Sequence, residues 1–352
     1  MINSSINLSF LSIFSMLSFF IFLIVQKNLN KKNNILLDRD FNKPQAFHSS
    51  ATSRSGGLAA LISLVLFFAM YYFFFEKTFL DYLVISMGIF VVGFLDDIKT
   101  NISPKMRLLL MILVVLFSVV FFSIKLEGLE LKFVEKLLSN SFLNKTFILL
   151  CFLFIINGSN LIDGFNGLVT IHLLIINIIL LIININSLNN EIVIFISAQI
   201  IVFLSFLMFN FPKAKMFLGD GGSYMFGALT AMNVIKTNNF NPETSSFFFC
   251  IILFYLFFEV FFSFFRKIFS NKSPLKPDNS HLHMLTFKWL KNLGKFRDCN
   301  YLNSITLNFI YFLAILPAIY FKNNGIFCRY WFFTLLAAYI LFYLRLYSFT
   351  KK

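Results

Sequence analysis

The chain has 352 residues, of which 58% are hydrophobic and only 13% are charged. Repeated apolar runs of bilayer-spanning length exclude a soluble globular domain and predict an all-α, polytopic integral membrane protein. The net charge of +14 does not indicate a nucleic-acid partner, because the basic residues concentrate in loops on one predicted side of the membrane, as the positive-inside rule describes.

Apolar runs predict about eleven transmembrane helices (ten or eleven) within one domain that covers residues 1–352. The runs are 8–25, 58–75, 79–95, 108–124, 147–157, 168–185, 192–209, 222–235, 247–265, 305–321 and 326–346. The fifth and eighth runs are short, which predicts tilted or broken helices. The charge bias places the loops 26–57, 96–107, 158–167, 210–221 and 266–304 on the cytosolic side.

The first of these cytosolic loops ends in ATSRSGG, residues 51–57. Gly56 and Gly57 open the second helix, where exposed backbone N–H groups and the helix dipole favour an anion, and Arg54 lies beside them. The segment is therefore a candidate phosphate-binding site, with a simple turn before a helix as the alternative.

The third run ends in GFLDDIKTNISPKMR, which contains the adjacent carboxylates Asp96 and Asp97. Adjacent carboxylates repel each other unless a cation shares their site, and Lys99, Lys105 and Arg107 follow closely in sequence. This pattern suits a magnesium-assisted phosphate site, and a polar helix end is the alternative.

The most polar interruption of the apolar pattern is NGSNLIDGFNGL, residues 157–168. Its side chains Asn157, Asn160, Asp163 and Asn166 are costly inside a membrane span unless they do chemistry or line a wet cavity. We interpret the stretch as a polar binding segment at the membrane surface. A flexible loop between two helices is the alternative.

The seventh run leads into FNFPKAKMFLGDGGSYMFG, residues 209–227. Asp220 lies among glycines, so its backbone can approach a ligand closely, and Ser223 is a candidate cap for the eighth helix. Lys215 adds a positive charge, and Phe217 offers a flat face on which a base can stack.

The last cytosolic motif is SPLKPDNSHLHML, residues 273–285. His281 and His283 lack a third ligand of the usual zinc pattern, so contacts with phosphate or sugar are favoured over a metal site. A solvated polar loop is the alternative. Glu259, in the ninth run, is an unusual intramembrane carboxylate to which the sequence assigns no role.

All five motif stretches fall on the predicted cytosolic face, which indicates one site. A transporter would place its polar residues near mid-membrane in broken helices. A CDP-alcohol phosphotransferase would carry a DG-x2-AR motif, whereas Asp163 and Gly164 are followed by Phe165, Asn166 and Gly167. Both remain alternatives to a phosphotransferase that uses a nucleotide sugar.

With these motifs in this order, the chain resembles the polyprenyl-phosphate N-acetylhexosamine-1-phosphate transferase family. The matching stretches are GFLDDIKTNISPKMRLL, NGSNLIDGFNGL, FNFPKAKMFLGDGGSYMFG and PDNSHLHML. The resemblance implies transfer of a sugar 1-phosphate from a UDP-N-acetylhexosamine to undecaprenyl (polyprenyl) phosphate, with release of UMP. It further implies Mg²⁺, with Mn²⁺ as an alternative, and a role in starting O-antigen, lipopolysaccharide or cell-wall polymer synthesis.

The resemblance also implies roles for individual residues. Asp220 and Asn160 would bind the metal, Asp96 and Asp97 would be the essential acidic pair, and Phe217 and Asn166 would lie near the uracil. His281 and His283 would lie near the diphosphate and sugar. The expected catalytic residues are Asp96, Asp97, Asp220, His281 and His283. The further expected substrate-binding residues are Arg54, Lys99, Arg107, Asn157, Asp163 and Lys215.

The last motif departs from the family pattern. Asn279 and Met284 replace its more usual basic residue and third His, so the sugar stays open between GlcNAc and a 6-deoxy HexNAc. The branch that uses UDP-MurNAc-pentapeptide carries a three-His motif that this chain lacks.

The expected setting is the bacterial inner membrane, with a multi-pass chain and the active site facing the cytoplasm. The expected partners are the UDP-sugar, the polyprenyl phosphate and membrane lipids, with no nucleic acid and with a homodimer left open. Direct attack by the acceptor phosphate is favoured, because it is largely dianionic at neutral pH. A covalent phospho-aspartate is the alternative.

Overall fold

The computed structural model describes residues 2–29, 36–38, 51–98, 100, 102–187, 190–271, 273, 278–294 and 298–351. These residues form mainly helices, which confirms the all-α prediction. The helices are α1 (Ile2–Leu29), α2 (Gly56–Phe75), α3 (Leu80–Asp97), α4 (Pro104–Phe121), α5 (Lys132–Leu138), α6 (Ser141–Ile162), α7 (Leu168–Asn186), α8 (Asn190–Asn210), α9 (Gly219–Phe240), α10 (Ser246–Ile252), α11 (Phe254–Phe269), α12 (Leu282–Asn292), α13 (Cys299–Tyr320) and α14 (Gly325–Lys351).

Seven helices in the described part of the chain are long and apolar enough to cross a membrane, or eight if the bent pair α10 and α11 forms one span. The chain is therefore a multi-pass membrane protein, while the count of eleven stays a prediction. Each predicted run overlaps a helix, but α3 carries Asp81, Asp96 and Asp97 and α9 is rich in Gly, Thr and Asn. These polar residues explain why α3 and α9 are not among the seven most apolar helices.

Three predicted runs differ from the observed helices. The fifth and eighth, expected to be tilted or broken, lie in uninterrupted helices of 22 residues, α6 and α9. The apolar runs underestimated the lengths of these helices, because the polar residues Asn157, Asn160 and Asp220 continue them beyond the apolar residues. The ninth run is not one straight helix, since α10 and α11 meet at an angle of 72°.

Helix α9 is the centre of the bundle and is buried along almost its whole length. It lies against α2, α3, α6 and α7. Close approach depends on glycine: a Cβ on Gly57 would lie 2.5 Å from Gly222 Cα, and one on Gly93 would lie 2.5 Å from the carbonyl of Asp220. Small residues at helix contacts let the backbones come this close, which is how helices associate within a membrane.

The interior of the bundle also contains hydrogen-bonded polar side chains. Asn177 of α7 donates to Thr230 of α9 over 3.1 Å, and Asn184 donates to Thr237 over 2.8 Å. Asn233 of α9 donates to Asn177 over 2.8 Å. These contacts repeat at the seven-residue spacing of neighbouring helix faces and therefore fix the register of α7 against α9.

Two short strands lie outside the helices. β1 (Leu37–Asp38) pairs antiparallel with β2 (Thr52–Ser53), and Ser53 forms a parallel bridge with Met216. The amide of Phe217 donates to the Ser53 carbonyl over 2.6 Å. This pairing, absent from the sequence prediction, ties the segment around Arg54 to the loop that precedes α9.

Candidate active site

The site is built around the first turn of α9. Oδ1 of Asp97 accepts a hydrogen bond from the amide of Asp220, and Oδ2 accepts one from the amide of Gly221, both over 2.9 Å. Gly219 begins the turn with φ of 77°, a conformation that favours glycine. Asp97 of α3 thus satisfies the free amides at the N-terminus of α9.

This arrangement corrects the expectation for Ser223, whereas the catalytic role of Asp97 stays a prediction. Ser223, predicted to cap this helix, lies in its second turn, where its hydroxyl donates to the Asp220 carbonyl over 3.2 Å. Asp97, expected to act on substrate, has a side chain that is only 2% exposed and both oxygens engaged. Its position is that of a buried helix cap.

Two arginines separate the neighbouring carboxylates. Nη1 of Arg107 lies 2.6 Å from Asp96 Oδ2 and 3.2 Å from Asp220 Oδ2. Nη1 of Arg54 lies 3.3 Å from Asp97 Oδ1 and 4.0 Å from Asp220 Oδ1. Asp96 and Asp97 therefore each have their own arginine, and Asp220 lies between both. The structure brings together the predicted residues Arg54, Asp96, Asp97, Arg107 and Asp220.

A further contact of Arg54, with Asp38, was not predicted from the sequence. Nη2 of Arg54 lies 2.7 Å from Oδ2 of Asp38 in β1. Burial alone would lower the pKa of Arg54, but the charges of Asp220, Asp38 and Asp97 outweigh this effect and raise it. No local motif marks Asp38, and only the pairing of β1 with β2 reveals its role.

Helix α6 contributes a side-chain amide, that of Asn160, to the site. Nδ2 of Asn160 donates to Asp220 Oδ1 and to Ser223 Oγ, each over 3.1 Å. The segment that contains Asn160 was predicted as a polar interruption between helices, but Asn157 to Ile162 form the last turns of α6. Asn160 is thereby held on a rigid element beside Asp220.

The loop from Asp163 to Gly167 closes this side of the site. Burial raises the pKa of Asp163 to about 7, with Arg54 opposing the shift and Asp97 adding to it, so Asp163 belongs to the same electrostatic cluster. Nδ2 of Asn166 donates to the Pro212 carbonyl over 2.9 Å. The side chain expected near the uracil thus joins this loop to the loop before α9.

The remaining predicted substrate contacts are more scattered. Nδ2 of Asn157 donates to Leu153 of its own helix over 2.7 Å, Lys215 is exposed, and Phe217 is half-buried. Lys99 lies outside the described residues.

The two histidines of the last motif lie in a separate, buried cluster. Nδ1 of His281 lies 3.0 Å from Glu259 Oε1, and its Nε2 lies 3.1 Å from Asp278 Oδ1. The ring of His283 stacks 5.5 Å from that of His281 and lies 5.9 Å from that of Phe165. His281 is 1% and His283 0% exposed, so these two side chains are not solvated. The expected direct contact of His281 with phosphate is not supported, because both of its ring nitrogens face protein carboxylates.

The electrostatics of the two rings differ. Burial would lower the pKa of His281, but its contacts with Asp278 and Glu259 raise it above the ordinary 6.5. Burial and the neighbouring His281 lower the pKa of His283 to about 3. Burial would raise the pKa of Asp278, yet His281 and Arg266 hold it far below its usual range.

A magnesium ion would have to use oxygen ligands from the acidic site. No group of three or more His, Cys, Asp or Glu side chains in metal-binding geometry occurs among the residues that the structure describes. The Asp220 side chain is 21% exposed, and Asn160 uses its nitrogen, not its oxygen, in the hydrogen bonds to Asp220 and Ser223. These hard oxygen donors fit Mg²⁺ if substrate oxygens or water complete the shell.

Membrane-length helices around a partly exposed site of carboxylates and arginines define a multi-pass membrane protein. Residues 79–238 match the model of Glycosyl transferase family 4. This part of the chain is similar to that family, in agreement with the resemblance seen in its motifs. The matched range includes Asp96, Asp97, Asn160 and Asp220.

Curated relatives carry the same family resemblance over different lengths. The chain is 26% identical over 280 residues to the undecaprenyl-phosphate alpha-N-acetylglucosaminyl 1-phosphate transferase of Thermotoga maritima, covering 79% of this chain and 81% of the relative. It is 29% identical over 241 residues to the probable undecaprenyl-phosphate N-acetylglucosaminyl 1-phosphate transferase of Bacillus subtilis, covering 67% and 66%. A phospho-N-acetylmuramoyl-pentapeptide-transferase of Leuconostoc mesenteroides is 43% identical over 79 residues, which is 22% of this chain and 25% of that protein.

Proposed function

We propose that this protein transfers N-acetylhexosamine 1-phosphate from a UDP-N-acetylhexosamine to undecaprenyl phosphate and releases UMP. The observation that carries the proposal is the placement of Asp220 between Arg54 and Arg107 at the start of α9. A diphosphate needs both positive charge and a metal-binding carboxylate, and this site offers them together. The Thermotoga and Bacillus relatives, whose names state this acceptor and GlcNAc, support the same reaction.

The reaction exchanges one phosphate bond for another. An oxygen of the acceptor phosphate attacks the sugar-bearing phosphorus, the bond from that phosphorus to the bridging oxygen breaks, and UMP leaves with that oxygen and its electron pair. No proton has to move when the acceptor is dianionic. Arg54 and Arg107 would stabilise the charge on the phosphates, and the rigid first turn of α9 would fix their position.

Asp220 and Asn160 would hold the metal. When bound, Mg²⁺, or Mn²⁺ in its place, would supply positive charge that neutralises part of the charge of the donor diphosphate. Asp96, with a side chain that is 31% exposed, would orient Arg107, and Asp97 would hold the amides of Asp220 and Gly221. Asp163 would contribute to the same charge cluster. We place uracil near Phe217 and Asn166, and the phosphates within reach of Lys99 and Lys215.

The proposed setting is the bacterial inner membrane with the site on the cytoplasmic side, since the UDP-sugar is cytosolic and the lipid acceptor lies in the bilayer. The product would start a cell-surface polysaccharide such as O-antigen or a cell-wall polymer. The similarity to the Thermotoga protein favours GlcNAc, and a 6-deoxy HexNAc is the next candidate.

The test is transfer of radiolabelled sugar phosphate from a panel of UDP-HexNAc donors to undecaprenyl phosphate, in membranes that contain the chain. We expect lipid-linked product from one donor with Mg²⁺ and none with EDTA. CDP-alcohols serve as the control donors. Absence of product from every UDP-sugar, with folded protein present, would overturn the proposal.

A further inference from the structure

The cluster around His281 is built from protein groups of several helices. Glu259 comes from α11, Asp278 from the segment before α12, and the ring of His283 lies on α12 itself. The hydroxyl of Tyr339, on α14, donates to Oε2 of Glu259. The other titratable groups around the pair of carboxylates are Tyr255, Arg266, Lys267 and Tyr343.

The two contacts of His281 decide its protonation. An ionised carboxylate can only accept hydrogen bonds, and a neutral imidazole has only one N–H. Because separate carboxylates lie within 3.1 Å of the two nitrogens, both nitrogens must carry a proton for both contacts to be satisfied. His281 is thus an imidazolium that is hydrogen-bonded to Glu259 through Nδ1 and ion-paired with Asp278 through Nε2.

The same contacts fix the start of α12. The amide of Leu282 donates to Glu259 Oε1 over 3.2 Å, and the hydroxyl of Tyr343 donates to the Ser280 carbonyl over 3.0 Å. Arg266 of α11 lies 2.8 Å from Asp278. The cluster therefore holds the N-terminus of α12 against both α11 and α14.

Helix α12 in turn contacts the loop of the acidic site. The ring of Phe165 lies 5.9 Å from that of His283 and 5.1 Å from that of Phe287. Phe165 lies between Asp163 and Gly167, directly after the turn of α6 that carries Asn160. A displacement of α12 would therefore be transmitted to the loop that carries Asp163.

We propose that His281 is a positioning residue rather than a group that contacts substrate. Held by Glu259 and Asp278, it fixes the position of α12 and, through Phe165, the position of the loop that bears Asp163. Glu259 and Tyr339 are positioning residues of the same cluster. Only the consequence for transfer rests on the function proposed above. The protonation state of His281 can be tested without any substrate.

The chain contains four histidines, so ¹⁵N-histidine NMR of the full protein in detergent can report on His281, with His281→Gln identifying its signals. We expect both ring nitrogens of His281 to be protonated at pH 7.5. In Glu259→Gln the midpoint of the titration should fall by about 1–3 pH units, since a neighbouring carboxylate shifts a charged group by about that amount. Tyr339→Phe should lower it less, and Glu135→Gln and Tyr330→Phe, on exposed positions, should leave it unchanged.

Transfer assays then test the consequence. Glu259→Gln should lose transfer at pH 8 and regain it at a pH below its lowered midpoint, whereas wild type should show no such acid rescue. If the substitution abolished transfer only by disrupting the structure, lowering the pH would not restore the activity. A neutral His281 with one bare nitrogen at pH 7.5 in wild type would overturn the inference, as would unchanged titration in Glu259→Gln. Doubly protonated His281 in a protein that transfers no sugar phosphate would overturn the proposed function alone.

Discussion

The acidic site and the histidine cluster contain similar side chains but differ in what their polar atoms contact. At the start of α9, the side chains of Asp220 and Asp96 are 21% and 31% exposed. In the histidine cluster, Glu259 and His281 are each 1% exposed. Partly exposed charges can still exchange protein partners for a ligand, whereas fully enclosed ones cannot do so without moving. We therefore expect the acidic site to serve ligand binding and the histidine cluster to serve assembly of the protein.

The largest expected effect separates these roles at Asp220. Asp220→Asn removes the charge but keeps the shape, so transfer should fall by roughly a hundredfold or more, as when one preorganised electrostatic group is lost. Radiolabel transfer in membranes measures it. Asp298→Asn, at a side chain that is 56% exposed, is the matched control and should retain activity. Equal activity of both variants would show that Asp220 is not part of the active site.

The next prediction concerns the buried capping carboxylate. Arg54→Gln leaves Asp97 and Asp38 without their cation, and an uncompensated buried charge costs about 3 kcal/mol. The variant should therefore unfold at a clearly lower temperature in detergent, and Asp97→Asn added to it should recover part of the loss. Arg345→Gln, at an exposed position, is the control. Additive losses in the double variant would contradict the contact between Arg54 and Asp97.

A third prediction tests the close contact between α3 and α9. A Cβ on Gly93 would lie 2.5 Å from the backbone of Asp220, so Gly93→Ala must push the first turn of α9 away, at a cost of about 1–3 kcal/mol. Gly164→Ala is the control, because nothing lies within 4 Å of its Cβ. Thermal unfolding in detergent compares them, and equal melting temperatures would refute the contact.

The smallest effect expected is a pH dependence of stability that differs between the two histidines. The folded pKa of His281 is raised above 6.5, so its stabilisation is fully present below pH 6.5 and is lost as the pH rises through the folded value. The folded pKa of His283 is about 3, so the protein should lose stability as the pH falls from 6.5 towards 3.

Melting temperatures recorded across pH 4 to about 9 measure this dependence. His281→Gln should flatten the alkaline side of the curve and His283→Gln the acidic side. The two variants are controls for each other. A curve that both variants leave unchanged would show that neither ring has the protonation state inferred from its contacts.

These comparisons also show what the sequence could reveal. The motifs around Asp96, Asn160 and Asp220 were recognisable because carboxylates and amides at the ends of apolar runs are costly without a function. Their meeting at one site was predictable from the charge bias of the loops. The roles of the two adjacent carboxylates were not, because a capping Asp97 and a paired Asp96 have the same local sequence and differ only in which helix approaches them.

The histidine cluster was less predictable for the same physical reason. Glu259 is 22 residues before His281, and Tyr339 follows on the last helix, so no local pattern joins them. No Pro or Gly in the sequence indicates the bend of 72° before α11. Likewise, Asp38 reaches Arg54 only because two short strands pair. Long-range packing decides such contacts, whereas hydropathy and local motifs report only neighbours in sequence.

The most direct test of the central claim is metal binding at the two clusters. Mn²⁺ electron paramagnetic resonance with UDP present should show a bound ion in wild type and in Glu259→Gln, and loss of that ion in Asp220→Asn. This result would confirm that the partly exposed site at α9 binds the ligand while the buried cluster assembles the protein. Binding that survives in Asp220→Asn and disappears in Glu259→Gln would contradict the account.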